Sequence, residues 1–531
     1  MPAVIDFPPV LPPLTAFRNE PYADFNRPEM RAVYLAAFEK VRDRLGREYL
    51  CRIGDRSFGA NEKFQSVNPA RSSEVIGIHS EATPAMAAEA VAEAVRTFPS
   101  WRLAPVAHRV EILRRVAGLL RERKPEFAAW MSLEVGKSFP EAEADVAEAI
   151  DFCEYYALQM LHLGAGTPLP QLPGERNLLV HLPLGVVAVI PPWNFPLAIM
   201  AGMTVAAWVA GNTVVLKPSS DSATIAAIFY ELLREAGLPA GVVNLITGSG
   251  AAVGRALVED ARVRAVAFTG SKAAGLDINE RAARSAPGQR WIKRAILEMG
   301  GKDAIVVAAD ADLDAAADGI VASAFGYQGQ KCSACSRAIV ADAVYDDLLE
   351  RLQSRIPKIR VGSPQDFSCA MGPVIHARAM EKILGYIEIG KSEGRLLAGG
   401  KRLTGPEFDE GFYIAPTLIA DVAPRARLAQ EEIFGPVLAV IRCRDLTEGL
   451  AIANDSEYGL TGAVYSRDPQ NLALARRDFH AGNLYLNRKC TGAMVGAHPF
   501  GGFNLSGTDS KAGGPDYLQL FTQAQSIAEK I

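Results

Sequence analysis

The sequence predicts an α/β chain organised on doubly wound parallel sheets. An uncharged run covers residues 182–216, a proline-rich break and a helix-like stretch separate its β-branched segments, and strand–helix alternation recurs downstream. The run is long enough to span a bilayer. Pro183, Pro191, Pro192 and Pro196 divide it into pieces too short to cross lipid as one helix. What remains is GVVAVI as a buried strand, PPWNFP as a loop, LAIMAGMTVAAWVAG as a helix and TVVL as a second strand. A βαβ unit covered on both faces produces this continuous apolar pattern. The expectation is a soluble protein with no membrane partner.

The other elements follow in order. Residues 1–30 are proline-rich and predict an extended arm; they lack the basic n-region and unbroken apolar core of a secretory signal. Helical spacing covers 30–49 and 84–163, most clearly in AAEAVAEAVRTF and HRVEILRRVAGLLRERK. Residues 164–182 predict a strand excursion. A helix over 222–237, a strand in GVVNLI, the glycine turn GSGAAVG and the strand VRAVAFT come next. A second α/β series begins near Ala295 and continues through PTLIADV, GPVLAVIRC and TGAVYS. The tail after Gly507 is glycine-rich and then predicts a helix.

Composition narrows the function. Lys and Arg number 56 against 60 Asp and Glu, a balance that disfavours nucleic acid, which needs a clustered positive field. Seven cysteines in 531 residues are too sparse for a disulfide framework and suit a reducing compartment, the cytoplasm. Cys332 and Cys335 form a CxxC, but no second CxxC or HxxxH supplies the remaining ligands of a zinc site, so no metal is expected.

Three residues have the chemistry of a reactive centre. Cys332 follows glycines in GYQGQKC, where a reactant can approach the backbone closely; a buried cysteine is otherwise an inert small hydrophobe. Glu298 is an acid in the apolar segment ILEMGG, where desolvation would move it towards a general base's working range, unless a local salt bridge satisfies it. Asn194 is an amide fixed between prolines, either a turn residue or a donor aimed at an oxyanion. The turns holding Gly248, Gly250 and Gly254, and Gly270, Ser271 and Gly275, follow strands and can seat a phosphate at a helix start, but neither fits GxGxxG well.

Taken together, PPWNFP (191–196), LKPS (216–219), FTGS (268–271), LEMGG (297–301), GQKC (329–332), EEIFGPV (431–437) and PFGG (499–502) resemble the aldehyde dehydrogenase superfamily in collinear order. Three longer segments, FRNEPYADF, GQKCSACSR and TGAMVGAHPFGGFNLSGTDSKAGGPDYL, resemble its L-glutamate γ-semialdehyde dehydrogenase group. The resemblance implies an N-terminal arm (1–40), a dinucleotide-binding domain (41–166 and 185–297), a catalytic domain (298–504), and an oligomerisation flap and tail (167–184 and 505–531) of a homo-oligomer. It implies Cys332 as nucleophile, Asn194 as oxyanion donor and Glu298 as the base that activates water. NAD would be held by Lys217, Ser220, Gly270, Ser271, Gly275, Glu432 and Phe434. Ser220 stands where many NAD-preferring members carry Glu, so NADP is expected to be tolerated. The semialdehyde carboxylate would be anchored by Ser333, Gly492 and Ala493, with Phe195 and Phe500 flanking its chain and Glu141 facing its amino group; a solvated helix face explains Glu141 equally well. Another semialdehyde or aliphatic aldehyde dehydrogenase, and a catalytically silent relative, are the alternatives.

Overall fold

The structure, a computed structural model, describes residues 13–531. The start of the proline-rich arm, residues 1–12, lies outside the described residues. Two seven-stranded sheets organise the described chain. The first has the order Arg294–Glu298, Val263–Thr269, Val186–Ile190, Thr213–Leu216, Val243–Leu245, Cys51–Ile53 and Arg56–Phe58. Its first five strands are parallel and its last two pair antiparallel. Every residue of Val186–Ile190 and Thr213–Leu216 is buried, because helices cover both faces. Val187, Val189, Val214 and Val215 are fully buried, worth about 1.5–3 kcal/mol each. The intervening helix Ala198–Val209 is also buried on all sides, so the uncharged run continues through it.

The second sheet has the order Arg395–Ala398, Thr417–Ala420, Val437–Cys443, Arg337–Ala341, Ala304–Val307, Thr461–Tyr465 and Asn483–Leu486, parallel except for the first strand. The α/β, two-sheet expectation holds. Within the parallel part of the first sheet the chain starts at Val186–Ile190, moves outward through Thr213–Leu216 and Val243–Leu245, then returns to the other side with Val263–Thr269. The carboxyl ends of Val186–Ile190 and Val263–Thr269 therefore flank the point where strand order reverses, and α/β sheets leave a crevice there. No helix among the described residues is long and apolar enough to cross a membrane.

Three local expectations are corrected. Arg294–Glu298 pairs with Val263–Thr269, so the second α/β series starts at Ala304, not near Ala295. The helix predicted over 30–49 is Pro28–Arg42, and Arg47–Tyr49 is a strand in a three-stranded sheet with Lys63–Asn68 and Arg71–Ser80. The tail is a strand, Thr522–Lys530, paired antiparallel along its whole length with Glu175–Pro183. Its Ala, Gln and Glu content favours a helix in isolation. Nine residues of pairing to a partner strand override that weak preference.

Candidate active site

The loop carrying Cys332 is held in an unusual shape. After the helix Leu313–Phe325, Tyr327 and Gln328 adopt left-handed backbone, φ 49° and 57°. Each such residue costs roughly 1–2 kcal/mol. Fixed contacts offset this: the Tyr327 hydroxyl donates to the Val135 carbonyl at 2.8 Å, and Gln328 Nε2 donates to the Pro373 carbonyl at 2.7 Å and to the Gly136 carbonyl at 3.2 Å. The Ile375 N–H donates to Gln330 Oε1 at 2.9 Å. Asn194, on the loop after Val186–Ile190, donates from Nδ2 to the Gln330 carbonyl at 3.0 Å. The amide is thus locked to the backbone two residues before Cys332, and among the described residues no acceptor takes its second N–H proton.

Cys332 lines a cavity of about 380 Å³ together with Glu298. Burial first, then the charges of Asp303, Glu432 and Glu298, holds its thiol well above the usual range, so the resting group is protonated. Glu298 ends the strand Arg294–Glu298. Desolvation pushes its carboxyl up to about 8, against hydrogen bonds from the Ser510 hydroxyl to Oε1 at 2.5 Å and from the Gly502 N–H to Oε2 at 3.2 Å. A carboxyl of that kind can take and return protons near neutrality.

Ser333, Gly492, Ala493, Phe195 and Phe500 line the same cavity. Among the described residues, neither the Ser333 hydroxyl nor the N–H groups of Gly492 and Ala493 have a partner within the chain. Gly492 has φ 76°, a left-handed turn that favours glycine, so this turn can present adjacent N–H groups to an anion. Phe195 is set by Lys137, whose Nζ lies 4.0 Å from the ring centroid and bonds Asp145 at 2.8 Å; Asp145 in turn accepts the Ala198 N–H at 2.6 Å.

Glu141 also lines the cavity, but its carboxylate is taken by Lys331 Nζ at 2.7 Å. Lys331 lines the cavity beside it. Glu148 was missed by the sequence reading. It lies seven residues further on the same helix, Phe139–Gly164, hence on the same face, and it lines the cavity. Among the described residues no donor reaches its carboxyl, which burial, then Asp145, pushes up to about 8. The seven-residue spacing of the two acids was the available signal.

The remaining residues stand on connections between strands of both sheets. Lys217, at the end of Thr213–Leu216, is buried; desolvation pushes it down to about 8, and its Nζ meets the Pro218 carbonyl at 2.8 Å. Ser220 sits half-buried in the following turn, beside Asp221. Ser271 caps the helix Lys272–Ala283, accepting from the Ala274 N–H, and is exposed. Gly270 spends its N–H on the Glu298 carbonyl, and a Cβ at Gly275 would collide with Met299. Those two glycines serve strand closure and close packing on either side of Ser271. Glu432 accepts the Gly301 N–H at 3.1 Å, and Phe434, at φ 62°, sets its ring edge-on to Trp193 at 5.6 Å.

Residues 57–527 match the aldehyde dehydrogenase family. The chain is 55% identical over 513 residues to the 1-pyrroline-5-carboxylate dehydrogenase of Geobacillus thermodenitrificans (strain NG80-2), covering 97% of this chain and 99% of that one. Among solved structures, the 1-pyrroline-5-carboxylate dehydrogenase from Thermus with bound NAD superposes with a TM-score of 0.94 at 49% identity, over 98% of this chain and 100% of that chain. Proline utilization A from Bdellovibrio bacteriovorus, inactivated by N-propargylglycine, gives 0.95 at 43% identity, over 97% of this chain but 53% of that one.

Proposed function

Because the chain belongs to the aldehyde dehydrogenase family, we propose that it oxidises L-glutamate γ-semialdehyde, the open form of 1-pyrroline-5-carboxylate, to L-glutamate with NAD in proline degradation. One observation carries the substrate: a single cavity has Cys332 and Glu298 for an aldehyde, an unpartnered N–H turn at residues 492–493 for a carboxylate, and the unpaired Glu148 for an ammonium. A zwitterion with an aldehyde at its far end matches all three.

In this reading the Cys332 sulfur adds to the aldehyde carbon after giving up its proton, with Glu298 within the same cavity to receive it. The oxyanion is held by the second Asn194 Nδ2 proton and the Cys332 N–H, donors of a kind worth about 10²–10³ in rate each. Residues from loops of both sheets fit a dinucleotide: Lys217 is a buried cation to which no carboxylate among the described residues is bonded, Ser271 opens a helix, Glu432 offers a carboxylate, and Phe434 and Trp193 form an aromatic wall. NAD, when bound, supplies the acceptor for the hydride that leaves the aldehyde carbon. The thioester left on Cys332 is hydrolysed by water that Glu298 deprotonates, which completes two easier steps in place of one hard oxidation.

The paired strands Glu175–Pro183 and Thr522–Lys530 expose Leu182 and Ile527, an apolar flap suited to a second copy of the chain, so a homo-oligomer acting in the cytoplasm completes the proposal. The test is NADH formation from 1-pyrroline-5-carboxylate by the purified chain, set against propanal. Preference for the uncharged aldehyde would transfer the enzyme to the aliphatic class, and no turnover of either would make it a silent relative.

A further inference from the structure

Residues 17–25 enter none of the steps above, yet they reach the cavity. Tyr22, Ala23 and Phe25 line it alongside Cys332. The segment is tied down at both edges. On the helix Phe139–Gly164, Asp151 accepts Asn19 Nδ2 at 2.8 Å and the Glu20 N–H at 2.6 Å, and Glu143 accepts the Ala23 N–H at 3.1 Å. On the anchoring turn, the Val495 carbonyl accepts Asn19 Nδ2 at 3.0 Å and the Tyr22 hydroxyl reaches Met494 Sδ at 3.3 Å. Asp151 and Glu143 are 4% and 1% exposed. Buried carboxylates are costly unless hydrogen-bonded, and here much of the bonding comes from the strap; Glu143 adds Lys124 at 2.7 Å. Two of the three carboxylate contacts use backbone N–H groups, and the third comes from the Asn19 side chain, which alone also reaches the Val495 carbonyl.

We propose that residues 17–25 are a specificity strap: they close the cavity between the helix Phe139–Gly164 and the 491–495 turn, limit the length of aldehyde it accepts, and fix that turn against the helix that bears Glu148. The inference rests on the substrate reading for its third part only. A strap that sets length discriminates among uncharged aldehydes whatever the natural substrate is. Asn19 is the clasp, because a single side-chain amide joins the helix to the turn. Ala23 is the point where added volume enters the cavity directly.

Asn19→Ala and Ala23→Phe in the full chain test this with three aldehydes: the semialdehyde, propanal and octanal. For Asn19→Ala the expected result is a KM for the semialdehyde raised about tenfold, kcat within about twofold of the parent, and an octanal-to-propanal ratio of kcat/KM that rises several-fold. For Ala23→Phe the KM for the semialdehyde also rises, octanal turnover falls, and propanal is unchanged. The ratio between the two uncharged aldehydes judges the strap alone; a parent enzyme that does not favour the semialdehyde defeats the substrate reading instead. An unchanged octanal-to-propanal ratio in both variants overturns the strap. So does an equal rise in KM for propanal and the semialdehyde.

Discussion

Ser510 holds Glu298 by a 2.5 Å hydrogen bond from its hydroxyl to Oε1, on a loop that the Lys511 ammonium secures to the Gly482 carbonyl at 2.7 Å. The bond stabilises the ionised carboxylate and so opposes the desolvation that pushes it up to about 8. A base must be ionised, so thioester hydrolysis rises as pH increases through that value. Removing the hydroxyl in Ser510→Ala takes away a stabiliser of the charged form and moves the rising limb of kcat to higher pH. A pH–rate profile checks this; a limb that moves to lower pH contradicts the assignment.

Asn194→Ala removes an oxyanion donor without touching the cavity lining. The expected loss is about 10²–10³ in kcat with little change in KM. Steady-state kinetics on the semialdehyde separates the two parameters, and a pure KM effect would make Asn194 a turn residue.

Cys332→Ala abolishes oxidation, by roughly 10⁴-fold or more, because no other group in the cavity can carry the thioester. Peptide mapping after iodoacetamide treatment is expected to find Cys332 modified in step with inactivation. The other six cysteines are buried and slower to react.

Ser333→Ala and Glu148→Gln divide the substrate between its two charged groups. Ser333→Ala raises KM for any carboxylate-bearing semialdehyde more than for propanal. Glu148→Gln raises KM for the amino-bearing substrate by about 10–100-fold, the range of a charge-assisted hydrogen bond, and leaves a semialdehyde lacking the amine unaffected. Equal responses to both substrates would remove Glu148 from the ammonium site.

NADP is expected to support measurable but poorer turnover than NAD. Ser220 imposes no charge, whereas Asp221 in the same turn acts on Lys217 electrostatically, as does Glu81. Asp221→Asn therefore improves kcat/KM for NADP more than for NAD. Parallel titrations of the two cofactors give the comparison, and no detectable turnover with NADP at millimolar concentration overturns the first part.

The parallel core was legible because burial on both faces leaves a direct trace: GVVAVI and TVVL are almost wholly apolar, VRAVAFT is interrupted only by the half-buried Arg264 before its terminal Thr269, and each is a strand of the first sheet. The residues around Cys332 were legible from local context, since Glu298 stands out in an apolar strand and Asn194 between prolines. Contacts made across long sequence separations left no such trace. Thr522–Lys530 is a strand only because Glu175–Pro183 pairs with it, and Arg294–Glu298 joins the first sheet through a partner its own composition does not reveal. Glu141 and Glu148 look alike in sequence; Lys331, 190 residues away from Glu141, is what distinguishes them.

The left-handed turn at Tyr327 and Gln328 is steadied from outside, by carbonyls at the end of the helix Lys124–Val135 and at Pro373. Mild heating that frays this helix terminus will therefore let the sulfur wander while the bulk of the secondary structure is intact. Inactivation curves should consequently run several degrees ahead of circular-dichroism melts, and additives that brace the terminus should bring the two together.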